Sequence, residues 1–288
     1  MGKYDEIWKN VIEELFQQFT YFYMPDLAEN IDFTKPYSFL DKEFSTIEIK
    51  SEDGTRYLDK LIKFYLKNGD EQWTLLHIDV QHADKDDFSL RMFKYFYRVF
   101  DKYNRKIVSQ IIFTGRHNYQ KEFNYSFYNT ELVYKYRSLR LVDYDETYLL
   151  NNNNPFALVT LAVKYALDSK NDEELRYNFK RNLMKLMFNR GYEHKEIENL
   201  FRFIEIMLEL SNKDLKKKIY IELKKLVKEG DIMVITNFEE MAMERGIEKG
   251  KIEGKIEVVK KALAKGYDIE EVADLTGLSV EDIKKLSE

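Results

Sequence analysis

Two aspartates stand inside otherwise apolar runs of this sequence, where an uncompensated carboxylate is costly to bury. Asp59 interrupts RYLDKLIKFYL and Asp79 interrupts QWTLLHIDVQ. Together with Val80 and Gln81 they match the D…(D/E)-x-K layout, with glutamine in the place of lysine. A Mg²⁺ ion held by Asp59, Asp79 and the Val80 carbonyl would polarise a phosphate and lower the pKa of a bound water. This spacing therefore predicts phosphodiester hydrolysis.

Further residues near this pair are candidates for supporting roles. Gln81 can hydrogen-bond the attacking water but cannot supply a cation, so Arg91 is a candidate for that charge, as is Lys63 if it shares the face of Asp59. Glu43 lies upstream as an auxiliary acid, although a solvated turn is the alternative interpretation there. Oxygen donors favour Mg²⁺, with Mn²⁺ as a second option, so His77 is interpreted as a sheet residue rather than a ligand.

The loop between the two apolar runs decides whether the aspartates can cooperate. Asn-Gly between strand-forming runs indicates a β-hairpin. A two-residue loop would put the aspartates on opposite sides of the sheet. A three-residue loop at 67–69, with Gly69 left-handed, puts Asp59 opposite His77 and diagonal to Asp79, at roughly 7 to 8 Å between Cα atoms. The metal hypothesis therefore predicts the odd-length loop.

The elements around the hairpin predict an α/β fold with a mixed sheet flanked by helices. Residues 4–23 have the helical period, 86–103 form a second helix, and 107–113 are a nearly continuous apolar strand. Strand, helix and strand in succession give a right-handed crossover with parallel strands. On the second helix the period assigns five residues to the apolar side: Leu90, Phe93, Phe96, Tyr97 and Phe100. Arg91, Tyr95 and Arg98 form another stripe, whose arginines are either a DNA contact or a solvated surface. Residues 118–144 are aromatic and alternating, which predicts further strand at the edge of the sheet.

The downstream sequence is mostly helical, and Asn154-Pro155 predicts a cap and a first-turn proline for a helix over 156–167. We expect an α/β core over 1–150, a helical bundle over 151–265 and a small helix-turn-helix-like tail over 266–288. The lysine-rich run 213–228 is a solvated face or a phosphate-binding stripe. Glycines at 246, 250 and 254 would let two helices approach closely, which favours a homo-oligomer. The tail has few basic residues, so a packing or dimerising hairpin is preferred to a DNA reader.

The composition restricts which metal sites the chain can form, how it can bind nucleic acid and where in the cell we expect it. The 288 residues contain no cysteine and four histidines, which excludes thiolate sites and argues against zinc. The net charge of −5 requires any nucleic-acid binding to use a local basic face. No run approaches the roughly 18 apolar residues of a membrane span, and the first ten residues are too polar for a signal peptide. We expect a soluble, cytoplasmic protein.

Several stretches, in order, resemble the Rpn family of recombination-promoting nucleases, also called putative transposases or the YhgA-like family, within the PD-(D/E)XK nuclease superfamily. They are FLDKEF, YLDKLIKFYLKNGD, HIDVQ ten residues before RMFKYFYRVFDKY, NPFA, and ERGIEKGKIEGK. The resemblance implies a metal-dependent DNA endonuclease linked to recombination or mobile elements, with Asp59 and Asp79 as the first and second acidic ligands. Gln81 stands where the wider superfamily has lysine, and Asp79 where many relatives have Glu.

A second class of function stays open on the sequence. The chain could be a catalytically silent nuclease fold that acts as a DNA-binding or protein-interaction module. Convergence of Asp59 and Asp79 on one side of the sheet favours the enzyme, and divergence favours the module.

Overall fold

The computed structural model describes residues 3–40, 58–69, 71–79, 88–116, 122–225, 235–236, 254–263 and 266–287. The chain is a mixed α/β protein in two compact units, residues 1–226 and 227–288. None of the helices in these ranges combines the length and apolar character needed to cross a membrane.

Three helices open the first unit: α1 (Lys3–Glu14), α2 (Phe16–Tyr23) and α3 (Pro25–Ala28). The sequence predicts one helix over this stretch, but Leu15 leaves helical geometry with φ −120° and ψ 36°. The break separates α1 from α2, and both helices carry buried apolar side chains. Pro25 begins α3, since a first-turn proline needs no hydrogen-bonded N–H.

In the described part of the chain the central sheet has five strands, and a helix connects its third and fourth. In chain order these elements are β1 (Ser38–Phe39), β2 (Leu58–Tyr65), β3 (Glu71–Asp79), the helix α4 (Phe88–Tyr103), β4 (Ile107–Phe113) and, after two further strands, β7 (Arg137–Arg140). The spatial order is β1-β2-β3-β4-β7. The first three strands are antiparallel, whereas β3, β4 and β7 are parallel. The predicted hairpin and parallel crossover are therefore both present.

Helix α4 covers one face of this sheet. Its Met92, Tyr95 and Val99 pack in one cluster with Leu61 of β2 and Phe113 of β4. The sequence places Tyr95 on a separate stripe and assigns Tyr97 and Phe100 to the apolar side. That assignment is wrong: Tyr95 is 2% exposed, whereas Tyr97 and Phe100 are 54% and 47% exposed. The aromatic residues surround α4, so the period alone does not show which face meets the sheet.

The opposite face of the sheet meets the first helix. Lys60, Ile62 and Phe64 of β2 are buried there. Lys60 is only 4% exposed in its side chain, and its Nζ lies 2.9 Å from Glu13 Oε1 of α1. This ion pair neutralises the buried ammonium, whose isolated burial would be strongly unfavourable.

A separate hairpin of β5 (Glu122–Phe127) and β6 (Thr130–Lys135) packs beside α4. The aromatic alternation of this region predicts strands at the edge of the sheet, and β7 is the strand that joins it. The hairpin is held at its base, where the Tyr134 hydroxyl donates to Ser109 Oγ of β4 at 2.6 Å. The Phe93 and Phe123 rings stack 5.1 Å apart and close the contact with α4.

Five helices complete the first unit: α5 (Glu146–Asn151), α6 (Pro155–Asp168), α7 (Glu173–Asn189), α8 (His194–Met207) and α9 (Lys213–Lys224). Asn154 caps α6 by accepting from the Phe156 N–H at 2.9 Å, as Asn-Pro predicts. The structure differs from the expected boundary near residue 150, because the N-terminal helices pack on these later ones. Trp8 of α1 meets Phe203 edge-on at 5.0 Å, and Phe19 meets Phe156 at 5.2 Å.

The second unit contains the helical residues 254–263 (α10), α11 (Ile269–Thr276) and α12 (Val280–Ser287). Val259, Val272 and Ile283 form its small core. Gly277 ends α11 with φ 65°, and Ser279 Oγ accepts from the Asp282 N–H at 3.1 Å. The predicted helix, turn and helix are thus present, and α10 packs with them although the sequence assigns it to the preceding bundle.

A buried ion pair joins α7 to α8. Lys180 is fully buried, and its Nζ lies 2.8 Å from Glu205 Oε2. Burial lowers the pKa of Lys180, while the Glu205 carboxylate opposes that shift. Replacement of one partner leaves the other charge in the protein interior without compensation.

We expect Lys180→Ala to lower the free energy of unfolding by about 3 to 5 kcal/mol, because it leaves Glu205 uncompensated and opens a cavity. Urea denaturation followed by circular dichroism measures the loss. The exposed Lys217→Ala is the matched control and should stay near the wild type. A double replacement of Lys180 and Glu205 by methionine should recover much of the loss, and equal losses at Lys180 and Lys217 would contradict the assignment.

Alkaline pH should weaken the attachment of the hairpin. Burial raises the pKa of Tyr134 from 10.0 to about 12, so the folded protein retains a proton that the unfolded chain loses above pH 10. The stabilisation is complete below pH 10 and falls as the pH rises towards 12. Tyr134→Phe should reduce this alkaline loss without removing it, because burial also raises the pKa of Tyr136 and Tyr144. It should cost about 1 kcal/mol at neutral pH, because the bond to Ser109 is absent. Thermal unfolding against pH, with exposed Tyr4→Phe as control, measures both effects.

Candidate metal and DNA site

The hairpin has the odd-length loop on which the metal hypothesis depends. Gly69 has φ 92°, and its N–H donates to the Leu66 carbonyl at 2.9 Å. Tyr65 pairs with Glu71, and the register continues until Asp59 stands opposite His77. This is the pairing expected for a three-residue loop rather than for a two-residue one.

The register places both aspartates on one face and at one edge of the sheet. Directly opposed residues of an antiparallel pair share a face, and residues two apart on a strand do so too. Asp59 therefore shares a face with His77, and His77 with Asp79. Asp79 is the last residue of β3 and pairs with Phe113, the last residue of β4. The two aspartates thus lie where β3 and β4 end and β2 begins.

The first turn of α4 lies over this edge. Phe88 contacts the Phe113 ring at 5.4 Å between centroids, and the Arg91 guanidinium carbon lies 5.3 Å from the Phe88 ring. Phe113 is the strand partner of Asp79. The fold therefore brings Arg91 to the end of the sheet that carries Asp79.

Arg98 extends the same flank of α4. At the helical period, Arg91 and Arg98 lie on one side of buried Tyr95, and Phe93 and Phe96 lie on the other. Phe93 and Phe96 pack on the aromatic rings of the β5–β6 hairpin. The arginine flank therefore faces away from that hairpin, and Arg98 is exposed on it.

The structure does not bring Lys63 to the pair. Strand alternation puts Lys63 on the same face as Asp59, as required. The two residues are four positions apart on β2, however, so their Cα atoms are separated by roughly 13 Å. Its Nζ lies 6.0 Å from the centre of the Tyr65 ring, at the turn end of the hairpin. Lys63 is therefore a poor source of charge for this edge.

Arg140 is a residue that the sequence analysis misses. It ends β7 opposite Phe113, which places it two strands from Asp79, or about 10 Å. Asp143 holds its guanidinium with an Nη2 to Oδ1 distance of 2.7 Å. An arginine at the end of the short run RSLR is the available signal, but nothing in the sequence indicates that β7 joins β4.

The other predicted site residues, Val80, Gln81 and Glu43, lie outside the described residues. Within the described ranges no three His, Asp or Glu residues gather as a group able to hold a metal ion. The register places Asp59 and Asp79 together. Both are carboxylate residues, and Mg²⁺ is commonly bound through one or two carboxylates.

Comparison with known proteins gives no relative: no family model, no curated protein and no solved structure matches the chain.

The loop geometry leads to a prediction about Gly69. A Cβ there would meet nothing within 4 Å, so the cost of replacement is that of the backbone conformation at φ 92° alone. Gly69→Ala should lower the free energy of unfolding by about 1 kcal/mol, and Gly69→Asn by less, because asparagine tolerates positive φ. Urea denaturation measures the difference. Gly254→Ala, where the added Cβ also has open space and the backbone is helical, should not lower stability.

Proposed function

We propose that the chain is a Mg²⁺-dependent DNA endonuclease of the PD-(D/E)XK type, as its resemblance to the Rpn family implies. The observation that carries this proposal is the shared face and edge of Asp59 and Asp79. A shift of one residue in the hairpin would separate them to opposite sides of the sheet. The odd-length loop is therefore favourable to a joint metal site.

The order of elements also supports the proposal. A helix, an antiparallel hairpin, a helix and a strand parallel to the hairpin's second strand follow one another in the first unit. A mixed sheet with a helix on each face is compatible with the nuclease fold that the family resemblance implies. The acidic pair lies at the carboxyl end of β3, and the carboxyl ends of strands are where α/β sheets commonly bind ligands.

In this proposal the side chains have distinct tasks. Asp59, Asp79 and the Val80 carbonyl hold the ion, which when bound supplies Lewis-acid activation of the phosphate and of a water. Gln81 orients the attacking water by hydrogen bonding. Arg91 stabilises the negative charge that develops on the phosphate, because the first turn of α4 places it at the Asp79 edge.

The proposed partners are DNA and further copies of this chain. Arg91 and Arg98 form a cationic flank of α4 that would contact DNA phosphates. The repeated glycines of the second unit would favour a homo-oligomer, and Gly254 has open space around it. A recombination or mobile-element setting, in the cytoplasm, is part of the proposal through the family resemblance.

The proposal is tested by nicking of supercoiled plasmid in Mg²⁺. We expect Asp59→Asn and Asp79→Asn each to reduce nicking to the level of a reaction without protein, because each removes a charged metal ligand while conserving side-chain size. Asp274→Asn, an exposed acid of the second unit, is the matched control and should retain activity. EDTA should abolish nicking by the wild type.

The silent-module alternative gives a different result in the same assays. Protein that leaves plasmid intact in both Mg²⁺ and Mn²⁺, yet shifts DNA on a gel, would contradict the enzyme. Nicking that survives both aspartate replacements would also refute this site, since the activity would then belong to other residues or to a contaminant.

A further inference from the structure

Helix α9 presents lysines on the side turned away from the protein interior. Four positions at intervals of four residues follow one ridge of the helix surface. They are Lys213, Lys217, Ile221 and Lys225, and all four side chains are exposed. The opposite side of α9 is apolar and buried. We call the three lysines of this ridge the lysine row.

The charge on α9 itself is strongly positive. Residues 213–225 contain six lysines and two acids. One acid, Asp214, is exposed on the outer side. The other, Glu222, pairs with Arg181 and accepts from the Tyr177 hydroxyl at 2.8 Å. Within the described ranges the structure pairs no lysine of the row with a carboxylate.

The acids that precede α9 in its surroundings are already engaged. The Glu209 carboxylate lies 2.6 Å from the Lys3 ammonium. The Glu173 carboxylate accepts from the Ser211 N–H at 2.8 Å, just before the helix begins. These acids therefore have partners of their own, and the surface of α9 remains cationic.

Local stability argues against lysines at the start of this helix. Lys213 is the first residue of α9, where the helix dipole favours anions and disfavours cations. Lys213 and Lys217 are also four residues apart, so that their like charges repel. Residues that oppose the stability of their own element are expected mainly at functional sites. The lysine row is therefore better explained by a partner than by the helix.

The composition of the row selects the kind of partner. Lysine is depleted at protein–protein interfaces, which depend on buried aromatic and apolar anchors, and Ile221 is the one apolar member of this ridge. A membrane-binding helix would need its apolar side for the lipid, but Leu215, Ile219 and Leu223 are buried in the first unit. A phosphate backbone needs spaced cations and no apolar surface.

We propose that the lysine row binds the phosphate backbone of duplex DNA. From Lys213 to Lys225 the row covers roughly 18 Å of helix axis, a length that holds about five phosphates of one strand. The contact is independent of base sequence, because phosphates carry none of it. It deepens the proposed function by adding a DNA contact on α9 to the arginine flank of α4, and in naming DNA it rests on that function.

The test is fluorescence anisotropy of a labelled DNA duplex with the full chain in EDTA, so that binding is measured without cleavage. The logarithm of the binding constant falls with the logarithm of the salt concentration by about 0.9 for each neutralised phosphate. A triple variant with Lys213→Gln, Lys217→Gln and Lys225→Gln should therefore reduce this slope by about 2.7. It should weaken the binding of unrelated sequences equally. Its melting temperature by circular dichroism should be unchanged or higher, because repulsion within α9 is relieved.

A second triple variant separates contact from net charge. Lys35→Gln, Lys67→Gln and Lys135→Gln remove the same charge from exposed positions on other elements and should leave the slope unchanged. Equal losses in both triple variants, or no loss in the row variant, would overturn the proposal. So would a lower melting temperature of the row variant, which would assign the lysines a structural role.

Other polyanions give further outcomes. A row variant that loses binding to phosphatidylserine vesicles or to polyglutamate, with DNA binding unchanged, would assign the row to another partner. Tighter binding of an RNA duplex of the same length would refute DNA as the partner.

The result is separable from plasmid nicking. A reduced slope in the row variant of a protein that cleaves nothing would remove the proposed nuclease and leave α9 as a DNA-binding surface. Nicking by the wild type, together with an unchanged slope in the row variant, would have the opposite meaning, since the catalytic proposal would stand and the lysine row would fail.

Discussion

The pairing of β2 with β3 is the constraint on which the first unit depends. Its register sends Lys60 to the face that meets Glu13 and leaves Leu61 on the face beneath α4. A slip by one residue would exchange these two side chains, burying an ammonium against aromatic rings and a leucine against a carboxylate. The same slip would part Asp59 from Asp79. Packing and the proposed chemistry therefore favour one register for separate physical reasons.

Aromatic contacts support the edge of the sheet that carries the aspartates. Phe88 lies between Arg91 and Phe113, and so links the first turn of α4 to the ends of the parallel strands. A guanidinium over the face of an aromatic ring is attracted to it and keeps its charge. The contact with Phe88 thus helps to position Arg91 at this end of the sheet.

Local signals in the sequence predict the hairpin, its loop length and the parallel crossover, because each depends on residues close in the chain. Asn-Gly fixes the turn, and the continuous apolar run at 107–113 indicates a central strand. Which face of α4 meets the sheet is not predictable in this way. Phe93, Tyr97 and Phe100 are as apolar as the buried positions, and only tertiary contacts select Met92, Tyr95 and Val99.

The unit boundary and Arg140 are missed for a related reason. The polar run before Pro155 has the composition of a linker, yet it leads into α6, a helix that packs against the N-terminal helices. β7 is four residues long, and its place beside β4 follows from the fold rather than from its own pattern. Local periodicity carries little information about short elements or about contacts between residues far apart in the sequence.

The docking of α1 on α8 has a consequence for biosynthesis. Trp8 and Phe203 meet across nearly 200 positions of sequence, so the first helix leaves the ribosome long before its partner exists. At roughly 5 to 20 residues per second that delay is about 10 to 40 s. During it the nascent chain displays a bare apolar stripe, a recognition target for chaperones, and final closure of the unit must wait for translation of the later helices.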